Sequence, residues 1–182
     1  EAKNLAQAAV NPLTTTMTVP VQFEYNEKIG PTDDGTRSTV FLQPLLPFEL
    51  NEDWYLISRT IIPFIDQEDI FPGAGTQSGL GDITQSFFFS PQKTTESGWS
   101  HGAGPVIQFD SATDDYLGLD ENGLGLSYIG VNVDGPKLYG FLVNHIYSVE
   151  GQVGDTYSNT FLQPLFDYTT DGALTFELTS ES

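Results

Sequence analysis

The sequence predicts an all-β chain: an antiparallel up-and-down transmembrane β-barrel behind one short N-terminal helix. Three observations predict it. The stretch from Arg37 to Asp66 reads as two long strands joined at Asn51-Glu52-Asp53. In its first strand Val40, Leu42, Pro44, Leu46, Phe48 and Leu50 share one face, and Phe41, Gln43, Leu45, Pro47 and Glu49 the other, because side chains alternate across a strand. Each strand is roughly a dozen residues, about twice the common length and enough for a tilted strand to cross a bilayer. Next, short turns near residues 52, 94, 135 and 171 alternate with looser Gly- and Asp-rich loops, as they do in outer-membrane barrels. Finally, the aromatics fall into two belts. Phe48, Trp54, Tyr55, Phe89, Trp99, Tyr139 and Tyr168 lie by the short turns; Tyr25, Phe64, Phe109, Tyr116, Tyr147 and Tyr157 lie by the long loops.

The elements follow in order. Residues 1–13 form an N-terminal helical segment, either a frayed terminal helix or a short periplasmic or lumen-plugging piece: Glu1 to Val10 is Ala-rich, and Asn11-Pro12 stops the helix. Residues 14–182 form the barrel domain. Its first strand spans about 16–28, with Val19, Val21, Phe23 and Tyr25 on one face. Gly30-Pro31 and Asp34-Gly35 turn the chain into the 37–66 hairpin, and residues 67–79 form a longer loop. The fourth strand, about 80–90, sets Ile83, Phe87 and Phe89 against Asp82, Thr84 and Ser86. The fifth spans about 99–110 and the sixth about 124–133, whose pattern does not orient it. The seventh spans about 138–150, with Tyr139, Phe141, Val143, His145, Tyr147 and Val149 on one face. A loop at 151–156 precedes the eighth strand, about 157–168, and a tight turn at Thr170-Asp171-Gly172 precedes the ninth, 174–182. Phe41-Leu42-Gln43-Pro44-Leu45 recurs as Phe161-Leu162-Gln163-Pro164-Leu165. Prolines 20, 44, 47, 63, 105 and 164 fall inside strands, where bulges would accommodate them.

Composition narrows the function. The chain has 182 residues, formal net charge −19 and only six Lys and Arg. That charge argues against nucleic acid and against anionic lipid surfaces. With no cysteine there is neither a disulfide framework nor a thiolate metal site. No apolar run reaches the ~18 residues of a membrane-spanning helix, so a membrane location requires a closed barrel.

Catalytic, cofactor and metal sites are not expected. His145 and Ser148 lie three apart and so point to opposite faces, and no Gly-x-Ser-x-Gly is present. The acidic loops at 33–34, 66–69, 110–115 and 120–121 lack EF-hand spacing and read as a solvated rim. Alternation instead selects a polar set facing the lumen: Gln22, Glu24, Gln43, Glu49, Arg59, Asp82, Gln163, Asp167 and Glu177. Arg59 belongs inside because an Arg on a lipid face costs roughly 2–4 kcal/mol, and its expected partners are Glu24, Glu49 or Asp82. Val40, Leu42, Leu46, Phe48, Leu162, Phe166, Leu174, Phe176 and Leu178 should then face lipid. The excess of lumen carboxylates, Glu181 included, would favour cations or neutral solutes in any pore.

Gln43-Pro44 through Asn51-Glu52-Asp53-Trp54, Ser58-Arg59-Thr60-Ile61-Ile62-Pro63, Gly79-Leu80-Gly81-Asp82-Ile83, Phe87-Phe88-Phe89-Ser90-Pro91, Gly102-Ala103-Gly104-Pro105-Val106, Ala112-Thr113-Asp114-Asp115, Val143-Asn144-His145 and Thr160-Phe161-Leu162-Gln163-Pro164 carry a family likeness. In these motifs the chain resembles the proteobacterial outer-membrane proteins labelled as members of the meta-cleavage pathway of phenol degradation. The resemblance implies a barrel of about twelve strands, located in the outer membrane of a Gram-negative bacterium. Its partners would be outer-membrane lipid and a small, hydrophobic or aromatic solute that it transports. Only about nine of those strands are present, so the barrel domain reads as incomplete beyond Ser182, and its first and last strands should not form a ladder. A soluble or secreted all-β ligand-binding barrel is the alternative, and a structural or adhesive barrel the third reading.

Overall fold

The computed structural model describes residues 2–149 and 157–179. One helix, α1 (Ala2–Val10), precedes eleven strands. These are β1 (Val21–Ile29), β2 (Gly35–Leu42), β3 (Leu45–Asn51), β4 (Trp54–Glu68), β5 (Thr76–Leu80) and β6 (Ile83–Pro91). β7 (Trp99–Phe109), β8 (Gly123–Asp134), β9 (Lys137–Ser148), β10 (Ser158–Thr169) and β11 (Thr175–Thr179) follow. The expected start of the helix at Glu1, the loop at 151–156 and the end of the last strand with Glu181 lie outside the described residues.

All strands belong to one antiparallel sheet in the order β1-β2-β4-β6-β7-β8-β9-β10-β11, with β3 and β5 each paired to β4. The hairpin around Asn51 is present, but its first arm is two strands. β2 pairs with β4 up to Leu42–Ile62, and β3 resumes at Leu45–Arg59. Gln43-Pro44 interrupts them because proline has no N–H for the ladder; Gln43 N bonds Pro20 O instead, and Thr60 N bonds Pro44 O. Gly81-Asp82 separates β5 from β6 in the same way, so part of the expected 67–79 loop is strand.

Pro63, Pro105 and Pro164 each stay inside one ladder, opposite Phe41, Leu126 and Phe141, and meet a gap or an end in the ladder on their other side. Pro63 lies between the last β5 pair, at Phe64, and the first β6 pair, at Ile61. Pro105 lies in the gap between the Ser86–Val106 and Phe89–Ala103 pairs. Pro164 lies just before the ladder with β11, which starts at Leu165.

The concave face is apolar toward the short turns. Leu13, Leu45, Ile57, Phe88, Ile129, Val131, Leu138 and Leu142 form one buried cluster. Burying such side chains stabilises by about 1.5–3 kcal/mol each. Gly102 makes room for the segment after α1: a Cβ there would stand 2.8 Å from Leu13 Cδ2 and 3.0 Å from Phe88 Cβ. β8, which the sequence left unoriented, turns Ile129 and Val131 inward and leaves Leu124, Leu126 and Tyr128 exposed. On the convex face Val40, Phe48, Leu162, Phe166, Leu174, Phe176 and Leu178 are exposed, while Leu42 and Leu46 are half-buried.

The closed transmembrane barrel is not what forms. No ladder joins β1 to β11; the sheet is a curled half-barrel whose free edges stand 12 Å apart. Hydrogen-bonded strands lie about 4.8 Å apart, so the gap cannot be bridged by a ladder. This corrects the expected fold, and with it the pore, the transport role, the lipid partner and the outer-membrane location. Free strand edges carry unpaired N–H and C=O groups, which hydrocarbon cannot satisfy. No helix among the described residues is long and apolar enough to cross a membrane, a statement that does not bear on strands.

Candidate functional site

The curl of the sheet creates a cavity of about 430 Å³ on the concave face, where the two free edges approach. β1 supplies Val21 and Gln22; the β2–β3 break supplies Gln43, and β3 supplies Leu45. β4 adds Arg59, β9 adds Leu142, β10 adds Gln163, Leu165 and Asp167, and β11 adds Glu177. The last turn of α1 and the residues after it, Ala9 to Pro12, cover it from the side of the short turns. The repeated pentapeptide therefore has a structural result. Gln43 and Leu45 line one side, and Gln163 and Leu165 the other, because period-2 alternation sends residues two apart to the same face.

The wall on the β1 side is a chain of hydrogen bonds. Arg59 Nη2 donates to Gln43 Oε1 at 2.8 Å, Gln43 Nε2 to Gln22 Oε1 at 3.0 Å, and Gln22 Nε2 to Glu24 Oε1 at 2.7 Å. Each amide both accepts and donates, so the chain holds the guanidinium in a fixed place.

The opposite wall is acidic. Asp167 and Glu177 face each other directly across the β10–β11 ladder, a register that leaves opposing Cβ atoms roughly 4.5–5.5 Å apart. Asp167 is 3% exposed, and its Oδ1 has no hydrogen-bond partner. Among the described residues only Thr18 Oγ1 and Tyr157 OH share that condition. Burial first, and the nearby Glu177 charge second, push the Asp167 carboxyl up to about 6. Both effects penalise the ionised form.

Of the nine polar residues expected to face inward, six line this cavity: Gln22, Gln43, Arg59, Gln163, Asp167 and Glu177. Glu24 is half-buried at the end of the Arg59 chain. Glu49 is exposed near the short turn. Asp82 lies at the β5–β6 break, where its carboxylate accepts from the backbone N–H of Leu119 at 2.7 Å and of Ser111 and Ala112 at 3.3 Å each. It anchors the 110–119 loop rather than lining the cavity. The sequence did not single out Leu142, and it offered the N-terminal helix only as a segment that could plug the lumen, without naming residues. Leu142 carries only the alternation signal of a core position, and nothing local in α1 says where the helix docks.

The two histidines lie elsewhere. His101 Nδ1 is 2.6 Å from the Tyr128 hydroxyl, and His145 Nδ1 is 2.7 Å from Thr160 Oγ1. Among the described residues no three His, Cys, Asp or Glu are grouped to hold a metal ion.

No protein-family model, no curated protein and no solved structure matches this chain. The resemblance to the phenol-degradation outer-membrane family is corrected accordingly: no family model supports it, and an open half-barrel is not that family's closed barrel.

Proposed function

We propose that the chain is an all-β small-molecule-binding protein whose ligand occupies the concave cavity between the half-barrel's edges. The observation that carries this reading is the convergence of six polar side chains from β1, the β2–β3 break, β4, β10 and β11 on an apolar floor of Leu45, Leu142 and Leu165. A cavity of about 430 Å³ falls within the roughly 300–1,000 Å³ of small-molecule sites. Apolar surface supplies affinity there, and a few oriented polar groups supply specificity.

The reading is of binding without chemistry. Both imidazoles are engaged with hydroxyls outside the cavity, so no histidine stands beside the carboxylates as a base.

Fragment screening by two-dimensional NMR tests the reading, with the side-chain amides of Gln22, Gln43 and Gln163 as reporters. Fragments should shift these amides in the parent chain and fail to shift those of Gln22 and Gln43 in Gln163→Trp, which fills the cavity while the rest of the spectrum is retained. If no fragment moves them, or if the same fragments bind Gln163→Trp unchanged, the proposal is wrong.

A further inference from the structure

We infer that this cavity takes a small organic cation, a primary ammonium on an apolar stem, seated between Asp167 and Glu177. The inference rests on the ligand-binding reading above and names its chemical class.

Three features point to positive charge. First, Asp167 is 3% exposed, lines the cavity, and carries an oxygen without a partner. A buried acceptor left unmatched keeps its desolvation penalty, and a charged one keeps a larger penalty, so a donor from a ligand removes a standing cost. Second, Glu177 lies directly opposite in the ladder. Like charges in that position repel, and a cation between them converts repulsion into two attractions. Third, the C-terminal turn of α1 reaches the same cavity and carries no basic residue. A helix C-terminus presents partial negative charge and favours cations.

The charged groups around Asp167 set the selectivity. β11 contributes Glu177, β4 contributes Arg59 from the other wall, and α1, β1 and β9 contribute no ionisable side chain to the lining. The Arg59 guanidinium donates to Gln43 on the β1 side of the cavity. An ammonium has three donors. Asp167, Glu177 and Gln163 line the cavity and carry acceptor oxygens. The alkyl stem would lie on Leu142 and Leu165. A primary amine stays protonated through neutral pH, as Lys does, whereas the carboxylates must be ionised to bind it.

The test is a titration of the full chain with hexylamine, hexanol and hexanoate, which share a stem and differ in charge. Affinities are read from the same side-chain amide shifts at pH 7.5 and pH 4.5. Hexylamine should bind at pH 7.5 at least tenfold more tightly than hexanol or hexanoate. That advantage should fall about tenfold at pH 4.5, and equally in Asp167→Asn and in Glu177→Gln, while hexanol binding stays unchanged. Backbone spectra of both variants establish that they remain folded. If hexanol and hexanoate bind in the cavity as well as hexylamine does, the cavity reading survives and the cation inference is overturned. If hexylamine binding is indifferent to both substitutions, or no member of the series moves the amides, the inference is likewise overturned. The fragment screen against Gln163→Trp then decides the cavity reading separately.

Discussion

Asp167 is the residue at which function and stability conflict. Its folded-state carboxyl is raised to about 6 from an ordinary 3.8, so in the low-pH range the folded chain binds a proton that the unfolded chain releases. Below pH 4 both states are protonated and the shift costs nothing. As pH rises from about 4 to 6 the unfolded chain ionises first, and stability falls. Above about 6 the full cost remains, on the order of 2–3 kcal/mol. Asp167→Asn should therefore raise the urea midpoint at pH 7.5 and leave it nearly unchanged at pH 3.5. A variant equally stable to the parent at both values would show that the buried carboxylate is not under strain. The residue's inward facing was legible from the alternation of Phe166, Asp167 and Tyr168. Its burial was not, because that depends on β11 crossing beside it.

At the scale of elements, α1 and the segment behind it form the cover of the site. The helix is placed by Lys3 Nζ on Asp171 at 2.6 Å, by Gln7 Nε2 on Gly135 O at 2.7 Å, and by Leu13 in the apolar cluster. The first two contacts are exposed, and exposed ion pairs contribute little. Lys3 does hold the Asp171 carboxyl below its ordinary range, by its hydrogen bond and then by its charge. That contribution is present at neutral pH and is lost as pH falls through the lowered value. Leu13 is the stronger hold. Leu13→Ala should cost about 2–5 kcal/mol in a urea melt and should speed hydrogen exchange of the Val10 and Asn11 amides. A loss below about 1 kcal/mol, with exchange unchanged, would mean that the cover is held elsewhere. The helix itself was readable from its alanines and from Asn11-Pro12. The hairpin was readable from period-2 alternation around Asn51. The break at Gln43-Pro44 was not, because proline was expected to bulge a continuous strand and instead ends one ladder where another begins; β5 was not, because Thr76–Leu80 lies in a Gly-rich stretch that reads as loop.

At the scale of the molecule, the sequence reading and the fold agree that the first and last strands form no ladder, and they part over the barrel: a closed barrel of about twelve strands was expected, and an open half-barrel forms. Alternating apolar and polar residues specify which face a strand turns inward, and an open half-barrel satisfies that rule as fully as a closed barrel does. Whether the first and last strands meet depends on the summed curl of the whole sheet, and no local motif encodes it. The free edges carry Glu24 and Glu27 on β1 and Glu177 on β11. Charged side chains on an edge discourage pairing with another strand, and the formal net charge of −19 adds long-range repulsion at low salt. The same opening gives the cavity its mouth and leaves Asp167 and Glu177 beside it.

The sheet stays open between β1 and β11, and a spin-label distance across the gap checks this. The chain has no cysteine, so labels attach only where cysteines are introduced. Phe23→Cys with Phe176→Cys labels exposed positions on β1 and β11. Phe23→Cys with Val40→Cys labels a bonded pair of the β1–β2 ladder as the reference. With edges 12 Å apart against about 4.8 Å between bonded strands, the first distance should exceed the second by roughly 7 Å or more. A first distance equal to the reference would mean that β1 and β11 pair, which would contradict the half-barrel and the cavity mouth built on it.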